Sequence, residues 1–274
     1  MPDLEIRQYD VTGRTGRHLV LDPRSLAYRR RYTGDPIRPV EWAPKIPVLD
    51  QQNLSSQGIR TSALFEGTDD VDALGSCTAN AATCLISVLH TPTQLADAGL
   101  DVTDPAAAEA WAIGLYSDAT HRDQWNEYSW PDTDCGSSGL GVAKALRSRG
   151  LIDQYGHATN AEELCTLLQN GPVLMGLPWY AAFTDTATSD RDGFIDAIPG
   201  WLGTPLEGGH EVCITALEDV GLHNDQLLPD ATVIRFRNSW GTTWADRGEG
   251  RMRLSTYLTL RSEIDLVQPR LETR

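Results

Sequence analysis

The sequence predicts an α+β fold with two lobes, a helical lobe followed by a β-rich lobe. Between residues 76 and 169 apolar side chains recur at helical spacing. From residue 171 onward, short runs rich in β-branched and aromatic residues are separated by Gly, Asp and Pro turns. Because helices precede strands instead of alternating with them, we expect separate helical and sheet layers with a cleft between them.

The first predicted helix begins close to Cys77, with Ser76 at its N-cap, and runs to residue 89. Further helices are predicted over 105–117, 138–149 and 160–169. The β-rich half contains four predicted strand runs, which cover 172–179, 211–219, 232–240 and 250–258.

These elements suggest a domain organisation. Residues 1–45, rich in Arg, Pro and Gly, are expected to form an N-terminal extension. Because they have no sustained helical pattern, a permanent extension that wraps the body is favoured over a removable propeptide. The main domain is expected over 46–265, with the helical lobe at about 46–170, the β lobe at about 171–260, and a C-terminal tail at 266–274.

Composition excludes several classes of function. The chain has 274 residues and a net charge of −15, and the excess of acidic residues lies after residue 50. Such a surface repels phosphate backbones, so we expect no nucleic-acid partner. The basic run at 29–31 is read as a solvated face or a clamp onto the acidic body. Oligomeric state cannot be inferred.

Hydropathy gives a prediction of location. No run approaches the about 18 apolar residues of a membrane span, and the N-terminus has no apolar core like that of a secretory signal. We therefore expect no membrane association and favour a cytoplasmic location.

Cysteine usage and known motifs predict neither a metal nor a cofactor. The five cysteines are widely spaced, include no CxxC pair and are odd in number. The sequence HEVCI at 210–214 lacks the second His of a zincin helix. No GxSxG elbow, Walker loop or GxGxxG motif is present. The sequence therefore does not favour a serine hydrolase, a nucleotide-binding protein or a dinucleotide-binding protein.

Cys77 is the best candidate nucleophile of the five cysteines. A cysteine in the first turn of a helix lies at the positive end of the helix dipole, where backbone N–H groups favour the thiolate. Taken alone, the position is weak evidence, because a single Cys is more often a small buried hydrophobe.

The downstream motifs strengthen this interpretation. Gly75-Ser76-Cys77, Gly209-His210 and Asn238-Ser239-Trp240-Gly241 occur in the order Cys, His, Asn. Over about residues 46–260 the chain resembles the papain family of cysteine proteases, in which these motifs carry the catalytic residues. The resemblance implies the family's two-lobed fold, with the nucleophile helix in the helical lobe and His and Asn on the sheet or barrel lobe.

The resemblance also implies a mechanism. Cys77 and His210 would share a proton as a thiolate and imidazolium pair, as in papain, which is the standard example of this arrangement. The thiolate would attack a peptide carbonyl, and His210 would protonate the leaving amine and then activate water. Asn238 would orient the imidazole, Trp240 would shield that contact, and a polypeptide would be the substrate.

The oxyanion donor of the family is a Gln shortly before the nucleophile, and two candidates compete for this role. Gln51 lies in the family-like context VLDQ, whereas Gln57 lies in SQG and imitates the family's Gln-Gly pair. We favour Gln51, because the strand-like residues before it would preorganise the donor. Residues 55–74 are then an insertion of about 20 residues, either a lid over the cleft or an inert excursion.

Two further features depend on the resemblance. The glycines that bind substrate would lie near Gly136 and at Gly209. Secreted members pair a Cys three residues before the nucleophile with a later Cys. Here the first position is Leu74, so Cys135 lacks its partner and the family's disulfide cannot form. This pattern indicates a bacterial or phage-type member.

Three functions therefore stay open from the sequence. The favoured function is a cysteine endopeptidase. The alternatives are a catalytically silent papain-like domain for peptide binding or assembly, and a transamidase or cell-wall peptide amidase that uses the same Cys and His.

Overall fold

The computed structural model describes residues 13–18, 27–32, 34, 36–124, 126–184 and 192–271. Within these residues helices and an antiparallel sheet form separate lobes, which confirms the predicted α+β class. No helix in the described ranges is both long enough and apolar enough to cross a membrane.

Helices dominate the first half of the described chain, and the four predicted helices are present with small shifts at their ends. Asp104 caps the long central helix by accepting two backbone N–H groups. The helices are α1 Thr61–Leu64, α2 Cys77–Leu89, α3 Pro92–Asp97, α4 Pro105–Arg122, α5 Gly139–Ser148, α6 Ala161–Leu168, α7 Ala181–Thr184 and α8 Leu254–Leu260.

The second half contributes most of a seven-stranded antiparallel sheet in the order β2-β9-β3-β4-β7-β8, with β1 paired to β4. A separate two-stranded ribbon, β5–β6, lies outside it. The strands are β1 Val40–Glu41, β2 Gln154–His157, β3 Val173–Tyr180, β4 Leu206–Asp219, β5 Leu222–His223, β6 Gln226–Leu227, β7 Val233–Arg237, β8 Glu249–Arg253 and β9 Asp265–Arg270.

The C-terminal region differs from expectation in two places. The run predicted as a strand over 250–258 ends at Arg253 and continues as α8, because Leu254, Tyr257 and Leu260 are buried at helical spacing. Residues 266–270, expected in a tail, belong to β9 and pair with β3 and β2. The buried Gln268 amide donates to three backbone carbonyls there, so this polar residue is satisfied inside the sheet.

The buried apolar residues of the described chain form two hydrophobic cores. One core gathers α2, α4 and α5, and the other lies between the sheet, α6 and α8. Residues 77–87 of α2 are all buried, because the helix packs against α4 on one side and β4 on the other. The N-terminus of α2 is therefore held at the junction of the two lobes.

Candidate active site

Cys77 is the first residue of α2, and its side chain is fully buried. Burial and the nearby carboxyl of Glu211 raise the pKa of the Cys77 thiol to about 12. Backbone groups of Glu211, Gly16 and Thr78 oppose this by hydrogen bonding to the sulfur. Ser76 occupies the N-cap position as expected, but its hydroxyl donates to Asn80 instead of capping the helix.

His210 lies in the middle of β4 and is oriented by Asn238, the residue that directly follows β7. Its Nε2 lies 2.7 Å from Asn238 Oδ1, and the same oxygen accepts the backbone N–H of Ser239 at 2.7 Å. Because Oδ1 is an acceptor, Nε2 carries the proton and a neutral ring leaves the Nδ1 lone pair free.

Burial lowers the pKa of His210 to about 4, although the Asn238 oxygen and the Arg14 backbone act in the opposite direction. Nδ1 is buried, and no described residue meets hydrogen-bond geometry with it. Burial thus favours the neutral form of each group, a thiol at Cys77 and an uncharged imidazole at His210.

Indole rings surround His210. The Trp240 ring centroid lies 4.9 Å from the imidazole centroid and that of Trp179 lies 4.7 Å from it, while Trp244 packs against both indoles. Trp240 thus packs directly against the His210 ring. Trp179, at the end of β3, was not predicted as a site residue, because a lone Trp in an apolar strand run reads as core.

Residues 13–18, from the predicted N-terminal extension, pass through the cleft between the lobes. The Arg17 N–H donates to Gly209 O at 3.0 Å on the sheet side. On the helical side, Ser137 N–H donates to Gly16 O at 2.8 Å and His18 N–H donates to Ser137 O at 2.9 Å. Arg17 and Ser137 form a parallel bridge, so the segment pairs with both walls of the cleft.

Gly16 makes the closest approach to the nucleophile. A Cβ placed on Gly16 would lie 1.9 Å from Gly75 O, so no larger residue fits at this position without displacement. On one side of Gly16 the Arg14 carbonyl accepts from the Trp240 indole at 3.2 Å, and on the other Arg17 enters the protein. The segment thus lies over Cys77 and contributes to the burial of Cys77 and His210.

Gln51 lies between this segment and the residues preceding Cys77. Its Nε2 donates to Leu74 O at 2.8 Å and to Gly13 O at 3.2 Å, and its Oε1 accepts from Ser239 Oγ at 2.6 Å. Gln57 instead donates at 2.6 Å to Asp50 O, within its own loop. Gln51, which we favoured from the sequence, is therefore the glutamine whose amide faces the cleft segment.

A buried carboxyl holds the Gln51 loop against α2. Glu109 accepts Asp50 N–H at 2.8 Å and Asn80 Nδ2 at 2.5 Å, so one side chain on α4 ties the loop to the nucleophile helix. Burial raises the pKa of Glu109 to about 7. The sequence carried no signal for this network, because its members are far apart in the chain.

Comparisons with known proteins bear on the fold. No family model matches the sequence, and no curated protein is similar to it. Among solved structures, xylellain, a cysteine protease from Xylella fastidiosa, aligns with a TM-score of 0.59 and 16% identity, over 97% of this chain and 98% of its own. The chain has a papain-like fold.

Two plant cysteine proteases are also similar. CMS1MS2 from Carica candamarcensis, solved in complex with E-64, gives a TM-score of 0.48 at 16% identity over 86% of this chain and 99% of its own. Bromelain from Ananas comosus, also solved with E64, gives a TM-score of 0.41 at 15% identity, over 87% of this chain and 100% of its own. At these scores neither structure adds to the argument.

The expected substrate-binding glycines lie beside the cleft segment in this papain-like fold. Gly209 accepts the Arg17 N–H through its carbonyl. Gly136 has a φ of +70° and lies against Gly16, but its own N–H donates to the Tyr116 hydroxyl. On this wall of the cleft, Ser137, one residue further along, makes the backbone hydrogen bonds to the segment. All five cysteines are free, Cys135 included.

The stretch at 55–74 folds as a small excursion on the helical lobe of the papain-like domain. Asp72 accepts from the backbone and hydroxyl of Ser55, and Asp70 pairs with Arg60 at 3.0 Å. Phe65 packs edge-on against the buried Trp130, with ring centroids 6.1 Å apart. These contacts secure the excursion to the lobe.

Proposed function

We propose that the protein is a cysteine endopeptidase with Cys77 as its nucleophile. The observation that carries this proposal is that the sulfur of the helix-terminal Cys77 meets the backbone of Glu211, the residue next to His210, while Asn238 holds the His210 proton on Nε2. The papain-like fold supports the same reaction class. A polypeptide is the proposed substrate, because the cleft already holds an extended stretch of backbone.

The geometry supports the following catalytic roles. Cys77 attacks the peptide carbonyl carbon, its proton passes to Nδ1 of His210, and the resulting imidazolium protonates the leaving amine. Water then hydrolyses the thioester, with His210 as general base, and Cys77 is regenerated. The Gln51 amide and the Cys77 backbone N–H would stabilise the oxyanion. Asn238 orients the ring throughout.

Departure of residues 13–18 would activate the site. The segment contributes to the burial that disfavours both charged forms, so its removal would lower the pKa of Cys77 and raise that of His210. The helix N-terminus and the amides that face the sulfur would then favour the thiolate. The proposed ion pair thus belongs to the open cleft, and the neutral pair to the closed one.

Incubation with a denatured protein tests the function. The full-length chain is expected to produce fragments, and both prior alkylation with iodoacetamide and Cys77→Ser should abolish them. Cys135→Ser is the matched control and should remain active. Acyl transfer to added amines without protein cleavage would point instead to a transamidase or amidase, and the absence of both reactions would point to a silent binding domain.

N-terminal sequencing of the same incubation separates two routes of activation. A new N-terminus beyond residue 18, appearing together with a rise in activity, would mean that the segment is removed and that a permanent extension was the wrong expectation. Activity from an intact N-terminus would mean that the segment is displaced by substrate.

A further inference from the structure

Arg17 of the cleft segment enters a buried pocket beside Cys77. Its side chain and that of Glu211 are each only 1% exposed, and Arg17 Nε lies 3.8 Å from Glu211 Oε2. Arg17 Nη1 also donates to the carbonyl of Glu263 at 3.3 Å. The pocket therefore already holds a guanidinium against a carboxyl.

Two glycines give the pocket its volume. Gly176 stands opposite Glu211 in the β3–β4 pairing, and a Cβ on Gly176 would lie 2.2 Å from Arg17 Nε and 2.6 Å from Glu211 Oε2. A Cβ on Gly139, at the start of α5, would lie 3.1 Å from Glu211 Oε1. A side chain at Gly176 would occupy the space that Arg17 fills, and a side chain at Gly139 would crowd the carboxyl of Glu211.

The wall of this pocket is acidic. The same Cβ on Gly139 would lie 3.3 Å from Asp265 Oδ2, so two carboxyl groups converge on one glycine. Neither Glu211 oxygen accepts a hydrogen bond from a described residue. An apolar side chain in the pocket would leave Glu211 buried without a partner, which is costly, whereas a cation would pair with Glu211 and attract Asp265 as well.

The order of contacts along the segment fixes which substrate residue reaches the pocket. Arg14 lies beside Trp240 and His210, Gly16 lies at the Cys77 sulfur, and Arg17 lies beyond it. Because His210 protonates the leaving amine, the leaving group departs toward the Arg14 side. The pocket therefore lies on the acyl side of the scissile bond. It would receive the substrate residue that precedes the residue whose carbonyl reacts.

We propose that this pocket, formed by Glu211, Asp265, Gly139 and Gly176, selects an arginine or lysine at the second residue before the scissile bond. The proposal rests on the proposed peptidase function and specifies its substrate class. Arg17 acts as an internal occupant that holds the segment in the cleft until substrate or removal displaces it.

Paired fluorogenic peptides test the selection at pH 8. Two peptidyl aminomethylcoumarins differ only in Arg or Leu at the second residue before the coumarin. Because closure by residues 13–18 reduces both rates by the same factor, the ratio of their kcat/KM values in the full-length protein reports the pocket alone. We expect a ratio of at least about tenfold, and Glu211→Gln should reduce it by about the same factor.

Asp225→Asn, on the exposed β5–β6 ribbon, removes the same charge outside the pocket and should keep the wild-type ratio. Equal or faster cleavage of the Leu peptide would overturn the pocket while leaving the peptidase function intact. An unchanged ratio of the two kcat/KM values in both Glu211→Gln and Asp265→Asn would also overturn the pocket.

A binding experiment keeps the pocket testable if no peptide is cleaved. In the full-length Arg17→Ala protein, a blocked peptide with Arg at this position should protect Cys77 from iodoacetamide at a concentration at least about tenfold lower than its Leu counterpart. Protection without cleavage would sustain the pocket and refute the peptidase. Equal protection by the two peptides would refute the pocket.

Discussion

Asn238 Oδ1 lies 2.7 Å from His210 Nε2 and accepts the Ser239 amide as well, so its orientation is fixed by the chain that follows β7. This double acceptance directs Nδ1 of a neutral ring away from Asn238 with its lone pair free. The position of Asn238 thus sets which nitrogen of His210 carries the proton, and the proposed role of His210 as a general base requires Nδ1 to be unprotonated.

The first prediction concerns this contact. His210→Ala should lower kcat for peptide cleavage by about 10² to 10⁴, the usual contribution of a positioned acid and base. Asn238→Ala should lower kcat by a smaller factor with little change in KM, because the ring remains but loses its fixed tautomer. Steady-state kinetics measure both effects. Asn170→Ala, which removes a hydrogen bond at the end of α6, is the control and should leave kcat unchanged.

The second prediction distinguishes the two glutamines. Gln51→Ala should lower kcat by about 10² to 10³, the usual cost of one oxyanion donor. Gln57→Ala should change kcat by no more than a few fold, because its amide serves its own loop. Thermal unfolding of both variants checks that the loop remains folded. A disabled Gln57→Ala beside an active Gln51→Ala would place the oxyanion donor within the 55–74 excursion.

The third prediction concerns the pH dependence of Cys77 reactivity. In the closed cleft the thiol pKa is about 12 and the His210 pKa about 4, so both groups are neutral between these values. Iodoacetamide should therefore alkylate Cys77 of the full-length protein slowly at pH 6. Arg17→Ala loosens the segment and should raise the rate at least about tenfold, since an open site favours the thiolate.

The double variant Arg17→Ala/His210→Ala should lose the increase in alkylation rate at pH 6. Arg14→Ala should increase the alkylation rate less than Arg17→Ala does, because Arg14 is exposed. Rapid alkylation of the unaltered protein at pH 6 would contradict the closed, neutral state.

The fourth prediction follows from the acid in the pocket. Burial raises the pKa of Glu211 to about 8, with Asp265 adding to the shift and Arg17 opposing it. His157 Nδ1 lies 3.6 Å from Asp265, and the Cys77 sulfur also lies near Glu211. The Glu211 carboxyl is neutral at pH values below its raised pKa. It therefore attracts a cation only when the pH rises through that pKa.

The preference for Arg over Leu peptides should consequently increase between pH 6 and pH 9. Glu211→Gln should make the ratio independent of pH over this range. The measurement is the ratio of kcat/KM values at each pH. A wild-type ratio that stays flat or falls over this range would show that Glu211 does not govern the preference.

The local patterns of the chain predicted much of the fold and the candidate site. Apolar residues recur at helical spacing along α2 and form a largely apolar run over 212–217 of β4, whereas Cys77, His210 and Asn238 are predicted by their resemblance to papain-family motifs. Short-range signals of this kind can be read without knowledge of tertiary contacts.

Features that depend on distant contacts could not be read in this way. The sequence predicts Gln268 in a tail, but its amide donates to the carbonyls of three residues about a hundred positions away. Nothing in the sequence separates Arg17 from the other arginines of the N-terminal extension, yet its side chain is buried against Glu211. The only local hint was the pair of glycines, Gly13 and Gly16, which permit a close backbone approach.

The most direct test of the central claim is to trap the acyl enzyme. The full-length protein is mixed with an activated ester of a peptide that carries arginine at the second residue before the reacting carbonyl. The reaction is quenched with acid within seconds, and digested fragments are analysed by mass spectrometry. We predict the mass of the acyl group on the fragment containing Cys77, and its absence in Cys77→Ser. An acyl group found only on another residue, or turnover of the ester by Cys77→Ser at the wild-type rate, would contradict the claim.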